Sequence, residues 1–545
     1  MLVSNHYLFD FWYKIADEYS LHNIFSILSM NQERKEDKME HMGWLSLIPP
    51  ILAVILAIIT KNVIISLFLG TFTGVLIMVG GNPLTATTET IGNFLFPQVA
   101  DSYNAAVLVL LFFIGGFVAL VEKSGGGAAL AAKTVKSINS KVKAQLSAWC
   151  GGLIIFFSDL GTPLIVGPIF EKIFDKARIS REKLAYIIDS TSSPVAVLIP
   201  FIGWGVYIMG LIKSEFDGLG ITASEFDTFV QVIPFQFYAI SAVLMVPLMA
   251  LLKLDFGPMA KAERRVRETG ELYWKNSKPL RRSDNDADNN QESKAILIWL
   301  PLLVLFITLF GLLSTKGFPF EPVDGNDFRI SLITAYLFAA ITIFILLIVF
   351  RLKKFGDIFD IYTSGMQKMV YVAVTLVLAW SLGTVIGEMG TANYIVELMQ
   401  GRVPAFIIPA LVFVIGAIVS LASGSSWGTF AIMLPIAIPM AVALDAHLLV
   451  CIGAVLSGGI FGDHSSPISD TSILSSTGAG ADHIDHVKTQ FPYALTNAII
   501  AVIGFVIAGV TGSPWTVVLT VVLLVLAAFA LSKLTKNKYE TKMNI

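Results

Sequence analysis

The sequence predicts an all-α polytopic membrane protein with about 11 transmembrane helices, two re-entrant hairpins and two broken helices, arranged as two inverted repeats. Three observations predict it. Of 545 residues, 55% are apolar and only 14% are Asp, Glu, Lys or Arg, with mean hydropathy +0.73, whereas soluble domains carry roughly 25% charged residues. Apolar runs of about 17–25 residues, the length that crosses a bilayer, recur along the chain. Landmarks of the first half also return in the second at a nearly constant spacing. The net charge of −2 leaves no basic excess for nucleic acid. Cys150 and Cys451, both in apolar stretches, are too few for a disulfide framework or a Cys-rich metal centre and read as small buried hydrophobes.

Residues 1–42 mix aromatics with a charged stretch and read as an interfacial or disordered lead-in without a secretory signal; Met30 and Met39 are alternative starts. Clean apolar runs follow near 44–60, 62–80, 104–121, 230–252, 295–313, 329–350, 370–387, 491–510 and 514–531. Four further segments, 144–170, 184–212, 403–444 and 447–475, are interrupted by Gly, Pro and Ser. Such breaks at membrane depth need protein or a water-lined cavity around them.

Lysine- and arginine-rich loops stay cytoplasmic. Residues 123–143 carry five lysines and 171–183 carry five Lys or Arg, so both face inward and 144–170 goes in and comes back. The loops at 81–103 and 213–229 then face outward, and 253–294 is a polar cytoplasmic linker in which Ser283–Ser293 reads as disordered. Continuing, 351–369 is inside, and 403–444 is a second hairpin entered from outside. The tail with Lys533, Lys536, Lys538 and Lys542 is cytoplasmic. The expected organisation is a first repeat at 43–252, the linker at 253–294, a second repeat at 295–510, and an extra helix and tail at 511–545.

The halves echo each other. Ser66-Leu67 returns as Ser331-Leu332, Gly161-Thr162 with Pro168 as Gly428-Thr429 with Pro435, and Ser192-Ser193-Pro194 as Ser465-Ser466-Pro467, at offsets of 265, 267 and 273. The order of the matches carries the weight, not any one of them. Five crossings per half make the second copy upside down, the architecture of secondary transporters with a mid-membrane site between the repeats.

The four broken segments contain Asp159, Asp189, Asp463 and Asp470, no Lys, and only Arg402 at a boundary. A buried ionised carboxylate costs at least about 2.5–3.5 kcal/mol, so four unneutralised ones would cost on the order of 10 kcal/mol. With no fixed cation in these segments, the neutralising partner is a proton or a bound cation, and burial itself favours the protonated acid. Thr162, Ser192, Ser193, Thr429, Ser465, Ser466, Ser469 and Thr471 supply hard oxygens beside the breaks, a set suited to Na+. Outside the broken segments a hydroxyl is better explained by bonding to its own helix. Glu122 and Glu388, at span ends, read as water contacts.

Gly424-Ser425-Ser426-Trp427-Gly428 matches G-x-S-x-G, but that motif works at a strand-to-helix elbow, not in an apolar membrane hairpin. Asp482-His483-Ile484-Asp485-His486 reads as an ordinary polar helix start. His464 is open to two roles, shuttling protons or only hydrogen-bonding.

Residues 462–495 resemble a known family. Gly462-Asp463-His464-Ser465-Ser466-Pro467-Ile468-Ser469-Asp470-Thr471, then Ala481-Asp482-His483 and Thr489-Gln490-Phe491-Pro492-Tyr493-Ala494-Leu495, look like the signature of NhaC-type Na+/H+ antiporters. Asp189–Pro200 with Gly203-Trp204-Gly205 looks like the matching region of the first half, and the resemblance covers about residues 43–530. Ser465 and Ser472 stand where the family often has Cys and Thr, which keeps a small polar group at each. The resemblance implies Na+/H+ exchange, with relatives exchanging malate and lactate or proposed to carry amino acids.

The combined reading is a multi-pass transporter of the inner membrane exchanging Na+ for H+. Asp463, Asp470, Ser465 and Ser466 form one half of the site and Asp189, Ser192 and Ser193 the other. Asp159, Thr162 and Thr429 close it, and Na+ sits at Asp463, Asp470 and Asp189. No cofactor beyond the transported Na+ and H+ is expected. The partners are the lipid bilayer and small ions, with a small organic anion or amino acid as the alternative cargo and a homodimer left open. A membrane-embedded enzyme using Ser and His is disfavoured by the repeat.

Overall fold

The computed structural model describes residues 41–127, 129, 138–279, 294–318, 320, 321, 323–399 and 402–543. The lead-in up to residue 40 and the stretch 283–293 lie outside the described residues. The first half runs α1 (Ile48–Thr60), α2 (Val63–Met78), α3 (Pro83–Ala100), α4 (Ser102–Lys123), α5 (Lys141–Ile154), α6 (Gly161–Lys176), α7 (Arg181–Ser190), α8 (Gly203–Leu219), α9 (Glu225–Phe235) and α10 (Phe237–Leu252). Starts are set by capping side chains: Asn62, Asp101, Ser140, Ser180 and Ser224 each accept the backbone N–H three residues on, satisfying a donor that the helix itself leaves free.

After α11 (Gly257–Thr269), the second half runs α12 (Ile296–Ser314), α13 (Gly325–Val349), α14 (Phe355–Lys368), α15 (Val370–Glu388), α16 (Thr391–Met399), α17 (Ile408–Ser423), α18 (Ser426–Ala443), α19 (Leu448–Ser465), α20 (Asp470–Ala479) and α21 (His483–Thr511). The chain closes with α22 (Thr516–Met543). Among the described residues there is no strand. Among the described residues ten helices are long and apolar enough to cross a bilayer, or twelve if two bent pairs each count as one span. The pairs are α2 with α3, bent by 118°, and α9 with α10, bent by 52°.

The first hairpin is α5 and α6. Their 14 and 16 residues rise about 21 and 24 Å, short of the ~30 Å hydrocarbon core. The second, α17 and α18, turns at Gly424, whose φ of +70° suits glycine, and Ser425, which caps α18. Its arms are longer: Ala405–Ser423 and Ser426–Ala443 are each long enough to cross. The halves pack reciprocally. α5 lies on α10 as α17 lies on α21, and α6 lies on α20 as α18 lies on α8. Each hairpin thus leans its second arm on the broken helix of the opposite half.

Regions expected as loops are helical, among them 213–229, most of which belongs to the end of α8 and the start of α9. Residues 81–103 hold α3, which Asn82 caps and Pro83 opens. Residues 351–369 hold α14, pressed on α4 so closely that a Cβ on Gly115 would come to 2.6 Å from the Gly365 carbonyl.

The described part of the 253–294 segment, expected as a long polar linker, is folded into a plate against the helices. Arg265 of α11 forms a two-pronged ion pair with Glu182, both contacts 3.0 Å, and stacks 4.3 Å over Trp274. Arg181 pairs with Glu171 and Asp175 at 2.9 Å each and donates to the Gly480 carbonyl at 3.1 Å. Lys183 pairs with Asp255, which also accepts from Tyr493. The plate thereby ties together the end of α6, the start of α7, the end of α20 and the first turns of α21.

Breaking a buried pair strands its partner's charge at a cost of about 3–5 kcal/mol, whereas replacing both partners by apolar groups costs far less. Arg265→Leu is therefore expected to lower the thermal stability of the detergent-solubilised protein strongly, and Arg265→Leu with Glu182→Leu to restore most of it. Single and double variants that melt alike would show that the pair carries no such coupling.

Candidate functional site

Two helices stop short inside the apolar body, and each ends on an acid. α7 ends at Asp189-Ser190 and α19 at Asp463-His464-Ser465; Asp189 is fully buried and Asp463 is 5% exposed. After α7 the chain is irregular to Gly203 apart from one turn, Ser193–Ala196. After α19 it crosses Ser466–Ser469 and re-enters a helix at α20, with Ser469 as the cap.

α20 serves both carboxylates. From its body, Ser472 donates to Asp189 Oδ2 at 3.0 Å and Ser475 to Oδ1 at 3.1 Å. From its entrance, Ser469 donates to Asp463 Oδ1 at 2.7 Å and Thr471 to Oδ2 at 3.4 Å. Ser193, from the break in the first half, and Ser426, opening α18, lie near Asp463 without bonding it: the Ser193 oxygen is buried without a hydrogen bond, and Ser426 donates to the Gly459 carbonyl at 3.3 Å. Among the described residues no Lys or Arg pairs with either acid.

Asp189 has partners on α21 as well. Gln490 Nε2 donates to Oδ2 at 2.6 Å and also to the His464 carbonyl, while His486 Nε2 lies 3.4 Å from Oδ2. His464 uses both ring nitrogens: Nε2 is 3.2 Å from Ser190 Oγ and 4.0 Å from Asp189 Oδ2, and Nδ1 is 2.8 Å from Tyr238 OH. His486 therefore belongs to the site and not merely to the polar start of α21. Asp482 does cap that helix, accepting from the Asp485 N–H at 2.9 Å.

The other expected residues distribute as follows. Ser192 donates to the backbone carbonyl of Asp159, fastening the first break to the tip of the first hairpin. Ser466 donates to Leu421 O at 2.8 Å, doing the same for the second. Ser465 Oγ is buried without a hydrogen-bond partner. Thr162 donates to the Ile155 and Ser158 carbonyls and Thr429 to the Ser425 carbonyl, so both hydroxyls brace hairpin turns. The Asp159 side chain is half-buried at the first tip.

Asp470 departs from the reading that placed it with Asp463. It is exposed at the first position of α20, where an acid complements the helix dipole, and Ser469 and Thr471 take the Asp463 carboxylate instead. Glu122 also departs, because it accepts from Ser158 at 2.5 Å and so holds the first hairpin tip rather than facing water. Glu388 is exposed, as read.

The residues missed were legible as helical spacing. His486, Gln490, Tyr493 and Asn497 recur every three or four residues, a polar stripe on one face of an otherwise apolar α21. Ser472 and Ser475 share a face of α20 in the same way.

Paired hairpins, two helices broken at mid-chain, and buried acids from both halves served by hydroxyls define a secondary transporter rather than an enzyme. The chain matches the family described as "Na+/H+ antiporter family" over residues 37–201 and 195–510, and it belongs to that family. An uncharacterised protein of Haemophilus influenzae is 33% identical over 484 residues, 86% of this chain and 91% of its own length. The malate-2H(+)/Na(+)-lactate antiporter of Bacillus subtilis is 29% identical over 220 residues, 38% of this chain and 45% of that protein. The YdaH transporter of Alcanivorax borkumensis, known from a crystal structure, shares the fold with a TM-score of 0.53 at 15% identity, over 80% of this chain and 91% of the other.

Close backbone contact holds α20 against the first hairpin: a Cβ on Gly478 would lie 2.2 Å from the Pro163 carbonyl, while one on Gly218 would meet nothing within 4 Å. Gly478→Ala is expected to destabilise by about 1–3 kcal/mol through overpacking, and Gly218→Ala to be neutral or to stabilise by up to about 1 kcal/mol. Thermal unfolding in detergent reads both. Equal behaviour of the two variants would contradict the close approach.

Proposed function

We propose that this protein exchanges cytoplasmic Na+ for external protons across the plasma membrane of a bacterial-type cell, with its C-terminal tail on the cytoplasmic side. The observation that carries the reading is the pair of buried acids, Asp189 and Asp463, which belong to opposite halves, share α20, and are met by hydroxyls with no Lys or Arg paired to either among the described residues. Na+ binds at the Asp463 carboxylate with the oxygens of Ser193, Ser426, Ser469 and Thr471, a hard donor set of the right chemistry. A proton neutralises the same acid when Na+ has left. Because the two ligands compete for one carboxylate, the site is neutral enough to reorient only when it holds one or the other, and this couples their movements.

The hydrogen bonds from Ser192 to Asp159 and from Ser466 to Leu421 make each break move with its hairpin. Those contacts suit alternate opening of the two sides around a fixed site.

An organic-acid carrier on the same framework would hold its anion at a half-helix N-terminus. The N-terminus of α20 already faces Asp463 and carries Asp470, which favours a cation there.

Everted vesicles with an internal acid-sensing dye separate the readings. Na+ alone is expected to release the internal protons, with the response lost in Asp463→Asn and kept to within about twofold in Asp470→Asn, whose carboxylate faces solvent. A response that requires malate or an amino acid would transfer the protein to the carrier class.

A further inference from the structure

A second kind of acid lies away from this site. Glu215, on the outer half of α8, is 7% exposed. Its carboxyl enters the junction of α8 with α15 and α18: a Cβ on Gly383 would come to 2.3 Å from Glu215 Oε1 and 3.7 Å from Pro435. The bare glycine makes the room the carboxyl fills. One turn earlier, Trp380 of α15 donates to the Gly210 carbonyl at 3.1 Å and fixes the crossing.

The surroundings give this carboxyl no partner. α18 has no titratable residue, and α15 has only Tyr371 and Glu388, both exposed near its ends. On α8 itself, Lys213 pairs with Asp217 and sits 5.7 Å over the Tyr103 ring. On α9, Glu225 pairs with Arg329 of α13 at 3.1 Å and accepts from Tyr103 of α4 at 3.2 Å. Asp227 is a like charge, and Asp101 caps α4. Among the described residues neither an ion pair nor a hydrogen bond reaches Glu215. An ionised carboxylate left unpaired in such a place is costly, whereas the neutral acid is tolerated.

We infer that Glu215 is a separate proton-binding site, loaded from the outer solution, at the joint between α8 and the second arm of the second hairpin. It deepens the Na+/H+ reading by giving the incoming proton a station other than the transport carboxylates. Glu215 lies 12 residues beyond Gly203, where α8 emerges from the first break, a distance of about 18 Å along the helix. The half-buried side chain of Lys213 and the exposed one of Asp217 flank it within two residues, so the path to water is short. Protonated, the acid lets α8 and α18 close on each other. Ionised, it draws water into the joint and parts them.

The test uses the full-length protein in proteoliposomes. Infrared difference spectra between acid and alkaline buffer are expected to contain a protonated-carboxyl C=O band that disappears in Glu215→Gln and moves in Glu215→Asp. Na+/H+ exchange is expected to fall about tenfold or more in Glu215→Gln with its dependence on external pH flattened. Na+/Na+ exchange by the same variant, which needs no proton, stays within about twofold and reports a folded protein, and Glu215→Asp restores the pH dependence. Spectra of Glu215→Gln that keep every wild-type carboxyl band, or unchanged proton-driven exchange, would overturn the assignment. Should Glu215→Gln fail to fold, an unmoved band in Glu215→Asp overturns it equally. A wild-type protein that moves no protons with Na+ removes the exchange reading, and the infrared band still decides Glu215.

Discussion

Two buried carboxylates that no lysine or arginine pairs with among the described residues set the terms for the rest of the structure. A charge at that depth is costly unless polar groups surround it, and here hydroxyls meet both acids while Gln490 and His486 add to the shell of Asp189. The two broken helices put the acids where the backbone is also free to offer its polar groups. The two hairpins cover those irregular stretches, which lipid could not tolerate bare.

Much of the fold's economy is concentrated in α20. This ten-residue helix touches the first hairpin on one side, binds Asp189 along its body, and meets Asp463 at its entrance. Elements from opposite halves therefore meet on one short piece of chain, and Asp189 of the first half is held by hydroxyls of the second. Reciprocal packing of hairpins on broken helices gives both halves the same dependence on the other.

The membrane class, the breaks and the two central acids were legible because acids are rare in apolar, Gly- and Pro-interrupted segments and few explanations compete for them. Asp470 was misplaced because proximity in sequence to Asp463 does not reveal facing: one residue separates the cap, Ser469, from the first helical position, which points outward. His486 and Gln490 were missed because a good cap at Asp482 already explained the local polarity. Only their helical spacing, followed for two more turns to Tyr493 and Asn497, marks an inward stripe. The folded linker was invisible for another reason. Arg265 and Glu182 are 83 residues apart, and nothing local in either segment announces that a charged surface helix will find a buried partner. Glu215 was read as part of a loop because Lys213 and Asp217 make its neighbourhood charged in sequence, and only the vacancy at Gly383 on another helix shows where it turns.

The contact between Arg181 and the last carbonyl of α20 has a mechanical consequence. At about 1.5 Å per residue α20 is a rod some 15 Å long, too short to bend appreciably. Its far end is held by a guanidinium that also grips α6 and the linker. Any displacement of the linker is therefore passed along the rod to the hydroxyls at its other end. The hydroxyl cluster and the folded linker are two ends of one lever.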